Sequence, residues 1–241
     1  MKNGSGKILS PNPPMTPEEN KVFHHLSQFV SDHKKACIEK VLNERTRYVT
    51  VILENIYQSQ NASAAVRTCE CMGLQDIHII EDRARYHLNI RVLKGSYKWM
   101  NFQRYRTTQV NNTDVCFAHL RSKGYRIFVA DPAEDGISID NLNVSDGKIA
   151  LVFGNELHGA SPYSLEHADG KVRIPMFGFT ESLNISVSVA ICLNTILVKL
   201  RQNGAPIGLS EKEKEMLRLV WYRKIVRRSD VVEREFLRTI E

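Results

Sequence analysis

Short apolar runs alternate with amphipathic segments through the middle of this 241-residue chain. Each run is rich in branched side chains and ends at Gly, Pro or a polar residue, a pattern typical of buried strands. The runs predict strands at residues 48–53, 77–80, 125–130, 149–153 and 172–174. Helical patterns lie between them, which indicates an α/β fold built on a parallel sheet of about five strands.

Two of the intervening helices have clear starting signals. Asn61 is suited to cap a helix over residues 62–72, which Gly73 would close. A long apolar pattern predicts another helix from Asn184 to Leu200. Residues 81–112 interleave basic and aromatic side chains, which fits either a contact with RNA or a solvated loop followed by a strand.

The two ends of the chain have a different character. Residues 1–15 contain Gly, Ser, Asn and Pro without hydrophobic periodicity, which predicts a flexible tail. Thr16 and Glu19 form a capping box that opens a helical arm over residues 16–46, with one apolar face running from Val22 to Leu42. Residues 47–203 hold the α/β domain. Residues 204–241 form a helical extension, with one helix to about Arg228 and another from Asp230.

Charge and composition narrow the function classes. The net charge of +6 favours a polyanionic partner. The extension concentrates basic side chains that either contact RNA or form a solvated face, namely Arg223, Lys224, Arg227 and Arg228. No run approaches the roughly 18 apolar residues of a membrane helix, and the N-terminus lacks an apolar signal core, so we expect a cytoplasmic protein.

The five cysteines do not suggest a metal or disulfide site. Their number is odd, and most fall within predicted helices. Cys69 and Cys71 are two positions apart on a predicted helix, so their side chains point to different sides and are poorly placed to share a metal. We interpret all five as reduced thiols in or near the core, and we expect no metal.

Three polar clusters fall at strand ends or helix starts. In open α/β sheets, ligands bind beyond the carboxyl ends of the strands. The site is therefore expected first at the loops within residues 148–200, and the three clusters are candidates to share it. Each cluster also has a structural explanation as a helix cap, a turn or an ion pair. No GxGxxG follows a strand, which argues against an ordinary nicotinamide or flavin site. The clusters are Asn61 with Arg67, Gly154-Asn155-Glu156 with Gly159, and Ser182-Leu183-Asn184 with Ser186.

These clusters lie in three stretches that resemble the motifs of the SPOUT class of methyltransferases. The stretches are NASAAVRT at 61–68, LVFGNELHGAS at 151–161 and IPMFGFTESLNISVSVA at 174–190. The likeness is greatest to the SpoU/TrmH branch, which methylates ribose 2'-hydroxyls in RNA, and it covers roughly residues 20–240. The helical ends resemble the TrmH-type tRNA guanosine-18 enzymes. In one departure, Gln58-Ser59-Gln60 stands where those enzymes commonly carry Lys-Pro-His.

The resemblance implies a Rossmann-like parallel sheet with a deep C-terminal trefoil knot between about residues 125 and 200. It also implies S-adenosylmethionine as the methyl donor, a homodimer and a tRNA substrate, with guanosine 18 of the D-loop as the expected target and no part for DNA. Two alternatives stay open: a ribosomal RNA ribose 2'-O-methyltransferase, and an RNA-binding module without catalysis.

The resemblance also assigns roles to residues. Arg67 is the expected catalytic residue and also contacts RNA. Its guanidinium stays protonated, so binding a phosphate or stabilising oxyanion charge is physically easier than acting as a base. The other residues expected to act in catalysis are Asn61, Glu156, Ser182 and Asn184. The expected cofactor-binding residues are Ala130, Asp131, Gly154, Asn155, Ile174, Met176, Leu183 and Asn184.

Overall fold

The computed structural model describes residues 15–82, 86 and 89–240. These residues form two compact units, one of which is Thr46–Ile207. The other consists of the described parts of both chain ends, 15–45 and 208–240. The sequence interpretation treated these ends as two separate helical regions, whereas they form one unit. The expected flexible tail lies outside the described residues, apart from Met15.

Within the described part of the first unit, seven strands form one parallel sheet in the order β3-β2-β1-β6-β4-β7-β5. The strands are β1 (Val49–Glu54), β2 (Asp76–Ile80), β3 (Asn101–Tyr105), β4 (Tyr125–Ala130), β5 (Ile137–Ser138), β6 (Lys148–Phe153) and β7 (Gly170–Arg173). In the centre, Val51 of β1 pairs with Ile77 on one side and with Leu151 on the other. Every residue of β1 is buried, as expected for a strand covered on both faces.

The parallel α/β fold is therefore confirmed, but the expected number of strands was too low. β3 has the sequence NFQRY and lies at one edge of the sheet, where one side is unpaired and an apolar run is not required. β5 has only two residues and lies at the other edge. Neither edge strand carries the apolar pattern that identified the five inner strands. The trefoil knot stays a prediction.

Four α-helices lie between strands of this unit and a fifth, α7, follows the last strand: α3 (Ser59–Cys71), α4 (Ile90–Leu93), α5 (Asn112–Ser122), α6 (Pro162–His167) and α7 (Ile185–Gln202). Two short 3₁₀ helices cover Ser96–Lys98 and Ile139–Asn141. α7 packs against α3 and is capped by Asn184, as predicted. Its buried side includes Val189, Leu193 and Leu197, which join the main hydrophobic core.

In one respect α7 departs from the expectation that no segment suits a membrane. By length and composition alone it is the single helix of the described residues that is long and apolar enough to span one. Its buried side packs in the core of this unit, which accounts for the apolar composition. The cysteines are free thiols, but Cys37 and Cys71 are exposed and not in the core as expected.

The start of α3 also differs from the prediction. The helix begins at Ser59, and Gln58 occupies the cap position without a side-chain capping bond. Asn61 is therefore not the cap but lies in the first turn, and its amide bonds to other side chains instead. The helix therefore starts three residues earlier than the predicted residue 62.

The second unit contains α1 (Pro17–Ser27), α2 (Asp32–Glu44), α8 (Glu211–Ile225) and α9 (Ser229–Ile240). The predicted capping box of Thr16 and Glu19 is present. The single apolar face expected from Val22 to Leu42 is divided, because the chain leaves the helix after α1 and Ser31 caps α2. α1 packs against α8 and α9, and α2 packs against α8 around buried residues such as Leu26, Leu42, Leu217 and Trp221.

Candidate active site

A cavity of about 510 Å³ lies at the carboxyl ends of β4, β6 and β7, within the first unit. This is the position at which parallel sheets bind ligands. Its walls come from four chain segments: the start of α3, the residues after β4, the loop after β6, and the residues from β7 into α7. The lining residues are Gln58, Asn61, Ala130, Asp131, Pro132, Phe153, Gly154, Asn155, Glu156, Gly159, Val172, Ile174, Met176, Ser182, Leu183, Asn184, Ile185, Ser188 and Cys192.

One wall is the loop at residues 154–160, which is tightly bonded within itself. Asn155 and Gly159 exchange two backbone hydrogen bonds of 2.8 Å each. The Asn155 side chain accepts from the Leu157 backbone N–H at 2.8 Å and donates to the Asn55 carbonyl at 2.7 Å. At Gly154, a Cβ would lie 2.1 Å from the backbone nitrogen of Ala160, so only glycine fits. The loop therefore has its shape before any ligand arrives.

A buried carboxylate anchors the far end of this loop. Glu54, at the end of β1, has only 1% of its surface exposed. It accepts four hydrogen bonds of 2.8 Å each, from the Ser161 backbone N–H and from the hydroxyls of Ser161, Ser164 and Thr113. A carboxylate satisfied by four donors is a stable buried group. Glu54 thus joins β1, α5 and the start of α6 directly behind the loop.

A chain of side-chain amides joins the three motifs at the cavity. Asn61 Nδ2 donates to Gln58 Oε1 at 3.0 Å and to Glu156 Oε1 at 3.1 Å. Asn184 Nδ2 donates to Asn61 Oδ1 at 3.0 Å, while Asn184 Oδ1 accepts from the Ser186 backbone N–H. The other carboxylate oxygen of Glu156 accepts from the Tyr57 backbone N–H at 3.2 Å. One network thus contains at least one residue of each predicted cluster.

Another wall includes residues of the loop at 175–183, which has a different construction. Residues 176–183 form no hydrogen bond with any other residue that the structure describes. Phe177 is 98% exposed, and Phe179 is fully exposed. Only Met176, Ser182 and Leu183 of this loop line the cavity.

The structure brings nearly all the expected site residues together. All eight residues expected to bind the cofactor line the cavity, and so do Asn61, Glu156 and Ser182. Arg67 is the exception, because it is an exposed residue of α3 and is absent from the lining. The roles assigned to these residues stay predictions.

The basic residues of the C-terminal helices belong to the second unit. Arg223 donates to both carboxylate oxygens of Glu233, with a distance of 2.9 Å from Nε to Oε2. Its guanidinium is therefore engaged within the unit. Lys224, Arg227 and Arg228 are exposed, although desolvation by neighbouring groups lowers the pKa of Lys224. Their expected contact with RNA stays a prediction.

Several lining residues were missed in the sequence. Ile185, Ser188 and Cys192 lie on one side of α7, at spacings of three, four and seven residues that identify a shared helical face. Burial raises the pKa of the Cys192 thiol to about 12, so it lines the cavity as a neutral group. Gln58 was noted only as a departure from the related motif. Among the described residues, no group of three or more His, Cys, Asp or Glu side chains is placed to hold a metal ion.

Comparison with known proteins decides the family. Residues 48–194 match the SpoU rRNA methylase family, a span that contains all three motifs. The chain belongs to this family. A relative from Borreliella burgdorferi, named tRNA (guanosine(18)-2'-O)-methyltransferase, is 45% identical over 86% of this chain and 93% of its own length.

Two solved structures extend the likeness to this SpoU-family fold. The Aquifex aeolicus TrmH/SpoU tRNA modifying enzyme has a TM-score of 0.71 and 26% identity, and the match covers 81% of this chain and 98% of that one. AviRb from Streptomyces viridochromogenes, in complex with the cofactor AdoMet, shares the fold with a TM-score of 0.56 and 18% identity. That match covers 68% of this chain and 64% of AviRb.

Proposed function

We propose that this SpoU-family protein transfers a methyl group from S-adenosylmethionine to the 2'-hydroxyl of guanosine 18 in tRNA. The observation that carries the proposal is the hydrogen-bonded network of Asn61, Glu156 and Asn184, which joins the three motifs in the wall of one cavity. The name of the Borreliella burgdorferi relative supports the choice of substrate, since the match spans most of both chains.

The cavity suits S-adenosylmethionine in size and chemistry. Its volume lies within the roughly 300–1,000 Å³ of small-molecule sites, which combine apolar walls with a few polar groups. Phe153, Val172 and Ile174 supply apolar surface. Gly154 lets the backbone approach closely, and Asp131 supplies an acid near the positively charged donor. When bound, S-adenosylmethionine supplies an electrophilic methyl group on a positively charged sulfur.

The residues of the chain position the nucleophile. The ribose hydroxyl must lose its proton and approach the methyl group in line, which requires a fixed orientation. Glu156 holds the start of α3 and the loop at 154–160 together through its two bonded oxygens. Asn184 caps α7 and donates to Asn61, so the third motif is aligned with the first. We assign Arg67 to a phosphate of the RNA, where its permanent charge would stabilise the developing oxyanion.

The proposal also covers the oligomeric state and the cellular location of the protein. We infer a homodimer with a knotted C-terminal half, in the cytoplasm, with no membrane or DNA partner. Val187 and Val198 of α7 are exposed apolar side chains, and we assign that helix to the dimer interface. Light scattering on the purified protein would test this, with twice the 27.6 kDa chain mass expected and the monomer mass contradicting it.

The test of the activity is methyl transfer from labelled S-adenosylmethionine to unmodified bulk tRNA and to ribosomal RNA, followed by nucleoside analysis. Label in 2'-O-methylguanosine from tRNA is the expected result. Ribosomal RNA is tested as the second substrate because the matching family is described as SpoU rRNA methylases. Label only in ribosomal RNA would replace the substrate in the proposal. Bound cofactor without transfer to either RNA would favour an RNA-binding module without catalysis.

A further inference from the structure

The chain of amides at the cavity has a fixed direction. A backbone N–H can only donate, so the bond from the Ser186 N–H identifies Oδ1 of Asn184 as the acceptor. Asn184 must then turn its Nδ2 to Asn61, which accepts through Oδ1. Asn61 in turn directs its Nδ2 to the Glu156 carboxylate and to Gln58 Oε1. The orientation of every amide therefore follows from one backbone donor and one carboxylate.

Both amide hydrogens of Asn61 are already hydrogen-bonded in this network. Its two amide hydrogens go to Glu156 and Gln58, so Asn61 cannot donate to a substrate without breaking one of these bonds. The chain of amides ends at Gln58. Because Gln58 Oε1 faces Asn61, its Nε2 group is left with two hydrogens that bond to no other residue of the described chain. Gln58 is exposed and lines the cavity.

We propose that Gln58 is a substrate-positioning residue that donates from Nε2 to an oxygen of the ribose-phosphate backbone at the target nucleotide. The inference rests on the proposed function, since it assumes that the RNA substrate binds where Gln58 lines the cavity. Amide hydrogens are well suited to phosphate and ribose oxygens, which are acceptors. Because Oε1 of Gln58 accepts from Asn61, the group that remains for a substrate is a donor, and that bond restricts the side chain before the RNA binds.

Three substitutions separate this role from that of a mere anchor for Asn61. Gln58→Glu keeps an oxygen for Asn61 but replaces the outward donor by an acceptor that repels RNA. Gln58→Lys keeps an outward donor but cannot accept from Asn61. Gln58→Ala removes both functions. Gln60→Ala is the matched control, because Gln60 is also exposed in the first turn of α3 but does not line the cavity.

The experiment measures kcat and KM for methyl transfer to a tRNA transcript, the Kd of the tRNA with S-adenosylhomocysteine present, and the Kd of S-adenosylmethionine. We expect Gln58→Ala to lower kcat/KM about 5- to 10-fold, the size of one or two neutral hydrogen bonds. Gln58→Glu should lower it about 10- to 100-fold through an unpaired like charge. Gln58→Lys should exceed Gln58→Ala in kcat/KM. Gln60→Ala should stay within about twofold of wild type, and all four variants should bind S-adenosylmethionine normally.

The opposite ranking would overturn the proposal. If Gln58→Glu matches wild type while Gln58→Lys falls to the level of Gln58→Ala, Gln58 only anchors Asn61. If the Gln58 variants lose S-adenosylmethionine affinity by the same factor as kcat/KM, Gln58 acts on the cofactor site and not on the RNA. A wild-type protein that binds tRNA without methylating it would contradict the proposed function alone, and the tRNA Kd values of Gln58→Glu and Gln60→Ala would still decide the role of Gln58. If wild type neither methylates nor binds tRNA, both are overturned.

Discussion

The two loops that contribute to the cavity walls differ in how they are held. The loop at 154–160 is closed by paired backbone bonds, packed against Gly154 and anchored by the buried Glu54. The loop at 175–183 leaves Phe177 and Phe179 exposed, and its residues 176–183 make no hydrogen bond within the described chain.

This difference indicates that the two loops have different roles in ligand binding. A prebuilt loop can hold a cofactor at little cost in ordering, because its backbone groups already have their final positions. A loop without internal bonds gains its contacts only when a ligand or a partner arrives. We therefore expect substitutions in the first loop to affect cofactor binding and stability, and substitutions in the second to leave the free protein unchanged.

The largest effect should come from a residue that belongs to neither loop. Arg67→Ala should lower turnover about 100- to 1,000-fold, the loss seen when one stabilising donor is removed from a transition state. The Kd of S-adenosylmethionine should stay unchanged, because Arg67 does not line the cavity. Single-turnover kinetics and calorimetry would measure the two quantities. Arg201→Ala, at an exposed position of α7, is the control, and equal losses of turnover and cofactor affinity for Arg67→Ala would contradict the assignment.

A pair of glycines tests the two loops directly. In Gly154→Ala the new methyl group would meet the backbone of Ala160, so the loop must shift. We expect S-adenosylmethionine affinity to fall about 10- to 100-fold, from an overpacking cost of about 1–3 kcal/mol. Gly178→Ala, with open space around the position, should bind the cofactor like wild type. Equal affinities for the two variants in calorimetry would show that the loop at 154–160 adapts freely.

A pair of glutamates tests the anchor of the first loop. Glu54→Gln would direct an amide N–H₂ group at hydroxyl and backbone donors, leaving buried donors without acceptors. The free energy of unfolding should fall by about 1–3 kcal/mol. Glu181 is an exposed residue of the loop at 175–183, so Glu181→Gln should leave the free energy of unfolding unchanged. Urea denaturation would compare the two, and an unchanged midpoint for Glu54→Gln would mean that other bonds hold α6 in place.

The smallest effect is expected for the exposed phenylalanines. Replacing both Phe177 and Phe179 by Ala removes side chains that are open to solvent, so the free energy of unfolding should change by less than about 0.5 kcal/mol. Thermal unfolding of the free protein is the measurement. A drop of several degrees would reveal packing of this loop in solution and would weaken the contrast between the two walls.

The sequence predicted the inner sheet and most of the site, because both leave simple patterns. Buried strands such as β1 and β6 are apolar along their whole length, and Gly154 and Asn184 stand at obvious turns and caps. The edge strand β3 left no such apolar signal, since an exposed edge tolerates polar residues, and a strand was only one of two interpretations of residues 81–112. Asn61 was misread as a cap because its bonding partners Glu156 and Asn184 are distant in sequence. Gln58 gained a role only once that network was visible.

The most direct test of the account uses two tRNA transcripts that differ in one oxygen. One carries guanosine at position 18, and the other carries 2'-deoxyguanosine there. Incorporation of label from S-adenosylmethionine is measured for both. We predict incorporation of up to one methyl group per molecule in the first transcript and none in the second. Equal incorporation into both would contradict the proposal that this SpoU-family protein methylates the 2'-hydroxyl of guanosine 18.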